Sequence, residues 1–123
     1  MNPVLTKSFL AQAAITKYRI VKPGSADGQV LQAAAVGDAM IGVANEIDAA
    51  IGERIDVVLV GIADVEYGGT IARGDLLTSD ANGKAVAAAP AAGTNNRIVG
   101  VALVAGVSGD IGSCVVSQSR PQG

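Results

Sequence analysis

Asp64 and Glu66 have the spacing best suited to chemistry in this chain. Two positions apart on a strand, their carboxylates share a face. Such a pair can move a proton or hold a hard cation. The plainer alternative is a solvated strand end. Lys84 sits beside a candidate hairpin tip, where small β carrier domains display a modified lysine, yet the flanking Gly83 and Ala85 do not match an Ala-Met-Lys-Met tip. Arg73-Gly74-Asp75 spells an adhesion tripeptide but reads as an ordinary turn. Cys114 is the single cysteine, which rules out an intrachain disulfide and a cysteine-rich zinc site. A small core thiol is its ordinary role. With no histidine in the sequence, the commonest general base, the Ser-His and Cys-His pairs and the commonest metal ligand are all missing. No glycine-rich phosphate loop appears in a suitable context. The expectation is a protein that is not an enzyme, with no cofactor and no metal.

The elements that would hold these residues are strands. Leu76-Leu77-Thr78 and Lys84-Ala85-Val86 flank Asp80-Ala81-Asn82-Gly83, whose Asn-Gly tolerates the positive φ of a hairpin turn. Ile55 to Ala63 is the strongest strand. Val57-Val58-Leu59-Val60 is apolar on both faces, so it belongs in the centre and can run on through Tyr67. Further strands are expected at Ile15–Lys22, Gln29–Ala34, Ala39–Ala44, Ile98–Val104 and Ile111–Gln118. Lys17 and Arg19 share one face of the first of these, as a solvated basic face or one that meets an acidic partner. Asn45 to Ile51 suits a loop or one helical turn. Ala87 to Asn96, with Pro90 and Gly93, reads as a loop. Gly42, Gly61 and Gly100 lie inside strands, where glycine marks bulges or close packing.

Residues 1–14 read as an N-terminal arm, 15–118 as one β domain and 119–123 as a tail. In the arm, Val4, Thr6 and Ser8 alternate with Leu5, Lys7 and Phe9. Polar residues on both faces suit an edge better than a centre. The arm is either a loose terminus or a strand that adds to a partner's sheet edge.

Composition narrows the partners. Among 123 residues half are apolar, but Phe9, Tyr18 and Tyr67 are the only aromatics. A core of small aliphatics buries little area per residue, so association is expected to supply part of the stability. A net charge of −2 gives little attraction for a phosphate backbone, and stacking platforms are scarce. Nucleic acid is not an expected partner. Neither is a membrane: the longest apolar run, Ile98 to Val107, is far shorter than a span. No apolar signal core precedes Leu10-Ala11-Gln12-Ala13, and synthesis in a cytosol-like compartment is expected.

An internal echo adds organisation. Ile41-Gly42-Val43-Ala44 leads to Gly52-Glu53 and Ile55-Asp56-Val57-Val58; Val99-Gly100-Val101-Ala102 leads to Gly109-Asp110 and Ser113-Cys114-Val115-Val116. Gly61-Ile62-Ala63 is a fainter third copy. Two related hairpins in one barrel or sandwich would produce this pattern, as would chance in a chain so rich in Gly, Val and Ala.

Ile41-Gly42-Val43-Ala44, Gly52-Glu53 followed by Ile55 through Gly61, Ile71 through Ala85, Ile98-Val99-Gly100-Val101-Ala102 and the basic strand Tyr18-Arg19-Ile20-Val21-Lys22 resemble the small capsid decoration (cement) proteins of tailed phages. The resemblance spans roughly residues 13 to 117. It implies a mostly β fold, a small β-barrel or sandwich of the β-tulip kind with at most one short helix. It also implies a homotrimer on the outer surface of the phage head that clamps adjacent major capsid protein subunits. The virion would be its destination and the host cytoplasm its place of synthesis. Val4, Leu5, Thr6, Lys7, Ser8 and Phe9 are then the candidate capsid-contacting residues, through strand pairing. A small β carrier using Lys84, an enzyme using Asp64 and Glu66, and a tail or spike component are the competing readings.

Overall fold

The computed structural model describes residues 3–35, 38–44, 48–88 and 98–119. It contains β1 (Pro3–Ala11), β2 (Ile20–Pro23), β3 (Gln29–Gln32), β4 (Gly42–Ala44), β5 (Arg54–Glu66), β6 (Leu76–Ser79), β7 (Ala85–Ala87), β8 (Ile98–Ala102) and β9 (Ile111–Ser119), and no helix among the described residues. The strands run in the order β1-β3-β2-β4-β5-β9-β8-β6-β7, and β1 also pairs with β5. That extra pairing closes the first five strands of the order into a barrel. The fold is the mostly β barrel expected from the strand pattern.

β5 is the central wall. Its apolar residues alternate to both faces, with Val57 and Val65 fully buried and Val58 nearly so. Its first half closes the barrel against β1, and its second half begins a further branch through β9, β8, β6 and β7. The branch returns to its origin. Tyr67 bridges Ala85 in parallel, and the Gly68 N–H donates to the Ala85 carbonyl at 2.7 Å.

This second ring repeats the first pair by pair. The β2–β4 register of Ile20 with Val43 and Val21 with Gly42 recurs between β6 and β8 as Leu76 with Val101 and Leu77 with Gly100. Lys22 opposite Leu31 becomes Thr78 opposite Val86. Ala11 beside Val30 becomes Tyr67 beside Ala85, and Phe9 opposite Ile55 becomes Val65 opposite Gly112. Outside the strands, the Ile15–Ala49 bridge becomes Ile71–Gly106. The chain is a tandem duplication in which one long strand serves both rings. The echo in the sequence marks this duplication, with two adjustments. Ile55 corresponds to Gly112, one place before Ser113. Gly61 is no third copy: with φ +112° it sits opposite both Pro3 and Val116, where β1 gives way to β9 along β5.

Each ring has its own core. Ile15, Val21, Val30, Ile55 and Val57 fill the first, with Phe9 and Leu59 packed against them. Tyr67, Ile71, Leu77, Val99 and Cys114 fill the second. Ile20, Val43 and Val58 project from the outside of the first ring into the second core, which joins the two. The strand expected over Ile15–Lys22 begins only at Ile20. Tyr18 adopts φ 62° and turns the chain before it, at the position where the second ring has Gly74 at φ 87°.

Candidate functional site

The residues with catalytic potential are committed to structure. Glu66 is held by two cations, Arg19 at 3.1 Å and Lys84 at 3.3 Å. Arg19 also donates to the Asn82 carbonyl at 2.9 Å, Gln32 to the same carbonyl at 2.7 Å, and the Ile20 N–H to the Gly83 carbonyl at 2.8 Å. The hairpin tip of the second ring is thus fastened to the first. Lys84 is tied down there, unlike the free amine of a carrier lysine. Arg19 faces an acid of its own chain where the strand pattern had it beside Lys17 on an outer face. That role was hidden in the sequence, because Glu66 lies far along the chain and is brought near by the end of β5, where the Glu66 N–H donates to the Tyr18 carbonyl at 2.9 Å.

Asp64 accepts a hydrogen bond from the Ser113 hydroxyl at 3.1 Å. It therefore shares a strand face with Glu66 but not a site. Cys114 is fully buried, and burial, with the Asp64 charge second, pushes its thiol up to about 12, so it is no nucleophile at neutral pH. Arg73-Gly74-Asp75 is a turn: Gly74 has φ 87° and the Asp75 carboxylate accepts the Ala72 N–H at 2.9 Å. Among the described residues no group of three or more His, Cys, Asp or Glu is placed to hold a metal.

The N-terminal residues offer a different kind of site. Residues 3–11 form β1 and lie along β5, from Pro3 opposite Gly61 to Leu10 opposite Arg54. On its other side β1 pairs with β3 only at Leu10 and Ala11. The Leu10 N–H points to that side, reaching the Gly28 carbonyl at 2.8 Å. Backbone direction alternates along a strand, so the N–H and C=O groups of Ser8 and Thr6 point the same way. Among the described residues they meet no backbone partner. The side chains of Leu5, Thr6, Lys7 and Ser8 are exposed, Phe9 is half-buried, and the Lys7 ammonium lies 5.3 Å from the Phe9 ring centre. Among the described residues this edge of β1 is open, and an open strand edge can take on an extended segment by backbone pairing.

The molecule is an all-β body in which Glu66 and Lys84 are ion-paired, Asp64 is hydrogen-bonded and Cys114 is buried. The chain belongs to the phage cement protein family, whose description matches residues 2–118. It is therefore a structural component of the phage virion. Among solved structures, the crystal structure of the head fiber gp8.5 N base in bacteriophage phi29 has the same fold, with a TM-score of 0.70 over 97% of this chain and 98% of that one at 21% identity. No curated protein matches the chain.

Proposed function

We propose that the protein decorates the outer surface of the phage head as a homotrimer and clamps adjacent major capsid protein subunits. The contact is made by β1, with Val4, Leu5, Thr6, Lys7, Ser8 and Phe9 receiving an extended capsid segment along the free edge. The observation that carries this reading is the unpaired run of β1 on a chain of the cement family. Each edge contact is weak, and a trimer that engages several subunits at once multiplies them. Bracing needs no chemistry, in keeping with acids and a lysine that are used up in holding the two rings together.

The test must spare the barrel, because β1 is one of its walls. Ser8→Pro does so: it removes one outward N–H and leaves the β5 ladder alone, and proline is tolerated on an edge. Heads purified without the protein should be decorated by wild type and not by a folded Ser8→Pro variant. Equal occupancy for both would show that this edge is not the contact.

A further inference from the structure

The duplication shows what covers the outside of a ring. On the first ring, Ile20, Val43 and Val58 form an apolar row across β2, β4 and β5, and the end of the second ring packs against it, with Ala63 and Val65 on the receiving side. Their counterparts on the second ring are Leu76, Val101 and Val115, and these form the same kind of row across β6, β8 and β9. Ile62, opposite Val115, continues it onto β5. Leu76 is 40% exposed and the three others are half-buried, whereas Ile20 and Val43 are wholly covered. The row has lost the cover that its twin has.

The receiving side also has an uncovered twin. Ala63 and Val65 correspond to Lys7 and Phe9 at the open end of the first ring, where Lys7 is exposed and Phe9 half-buried. Charge at the two open ends is complementary as well. Lys7 brings a cation to the receiving end. Asp64 stands beside Ile62 on the row's face, and Asp75 takes the place that Arg19 holds in the internal contact. One surface of this chain is thus built to be covered, and another is built like the surface that does the covering.

We propose that the row of Leu76, Val101, Val115 and Ile62 docks onto the Lys7–Phe9 end of the first ring of a second copy, repeating between chains the contact made within one. The contact is heterologous, joining different surfaces on the two partners, which is what a closed ring of three requires. It uses side chains at the end of the barrel, and the backbone edge of Thr6 and Ser8 stays free. This rests on the self-association in the reading above, and it is tested without capsids so that the two can fail separately.

Leu76→Cys and Lys7→Cys are prepared as separate proteins; Cys114 stays in both because it is buried. On mild oxidation the mixture should give a disulfide-linked pair, while each protein alone should give none. Leu76→Glu should lower the solution mass to that of one chain with an unchanged far-UV circular dichroism spectrum. Cross-linking of Leu76→Cys with itself, or no cross-link together with an unchanged mass for Leu76→Glu, would overturn the proposal. Loss of head decoration in Ser8→Pro with cross-linking intact would leave it standing.

Discussion

Gly112 leaves its side-chain space to Tyr67: a Cβ built on Gly112 would collide with the phenol oxygen, and one on Gly106 would lie 2.8 Å from the ring. In the first ring the same places hold Ala11, Ile55 and Ala49. The second core is filled at this place by Tyr67, just past the end of β5, and the first by Ile55 on β5 and Ala49 in the loop before it. The Tyr67 hydroxyl is fixed by donating to the Val104 carbonyl at 2.7 Å. Gly112→Ala should therefore cost about 1–3 kcal/mol by overpacking. Tyr67→Ala should cost about 3–5 kcal/mol by leaving a cavity. The triple variant Tyr67→Ala, Gly106→Ala, Gly112→Ile copies the first ring, and it should be more stable than Tyr67→Ala alone, as urea denaturation would show. Additive losses would mean that the two cores are not interchangeable solutions.

Gly42 and Gly100 are the matched strand glycines. A Cβ at either would strike a backbone carbonyl of the adjacent strand, that of Val58 or Val115. Backbone held in a ladder cannot step aside. Gly42→Ala and Gly100→Ala should each cost about 3 kcal/mol or more, at or above the usual overpacking range. Gly109 has φ +93° and open space, so Gly109→Ala meets only conformational strain of about 1–2 kcal/mol. Thermal unfolding of the three variants should rank in that order.

Glu66 fastens the rings to each other. Glu66→Gln keeps its shape but leaves Arg19 and Lys84 side by side without their carboxylate. The groups are largely shielded, so a loss of about 1.5–3 kcal/mol is expected, the range for a hydrogen bond to a charged group. A double-mutant cycle with Lys84→Met measures the coupling. A value near zero would make the triad incidental.

Stability should fall at both ends of the pH scale. Burial first, then the charges of Cys114 and Asp110, raises the Tyr67 pKa, and burial first, then Asp64, raises that of Cys114 to about 12. Both groups keep protons in the folded chain that the unfolded chain releases. Their contribution is complete below the ordinary thiol and phenol range and is lost as pH climbs through the folded values. Urea midpoints should drop between neutral pH and about pH 11, and Cys114→Ala should flatten the drop. At the acid end, burial acts to raise the Asp38 pKa, but the Ala34 N–H, the Lys22 ammonium and the Ala35 N–H outweigh it and hold the carboxyl below its ordinary value. That contribution is present above the ordinary carboxylate range and is lost as pH falls through the lowered value. Asp38→Asn should reduce the acid sensitivity.

The parts of the fold that were legible in the sequence are those where local chemistry and tertiary role agree. The hairpin around Asn82-Gly83 forms between Leu77 and Ala87, with the Asp80 carboxylate accepting the Asn82 and Lys84 N–H groups at 2.8 and 2.9 Å. The doubly apolar Val57–Val60 run marks the central strand. Most of the duplication was hidden, because paired positions traded volume: Ala11 for Tyr67, Ile55 for Gly112. Backbone pairing persisted while likeness of side chains did not. Tyr18 in a left-handed conformation where its twin is Gly74 is illegible for the same reason. At the candidate site, the alternation of Val4 to Phe9 pointed to a strand. The place of that strand in the wall of its own barrel, with one edge used and one open, depends on β5 and could not be read locally.

Bracing of the shell is most directly measured by the temperature at which filled heads release their DNA, with and without this protein. Heads lacking it should release DNA at a lower temperature, and added wild-type protein should restore the higher one, whereas Ser8→Pro should not. Identical release temperatures for bare heads and heads carrying bound wild-type protein would contradict a stabilising role.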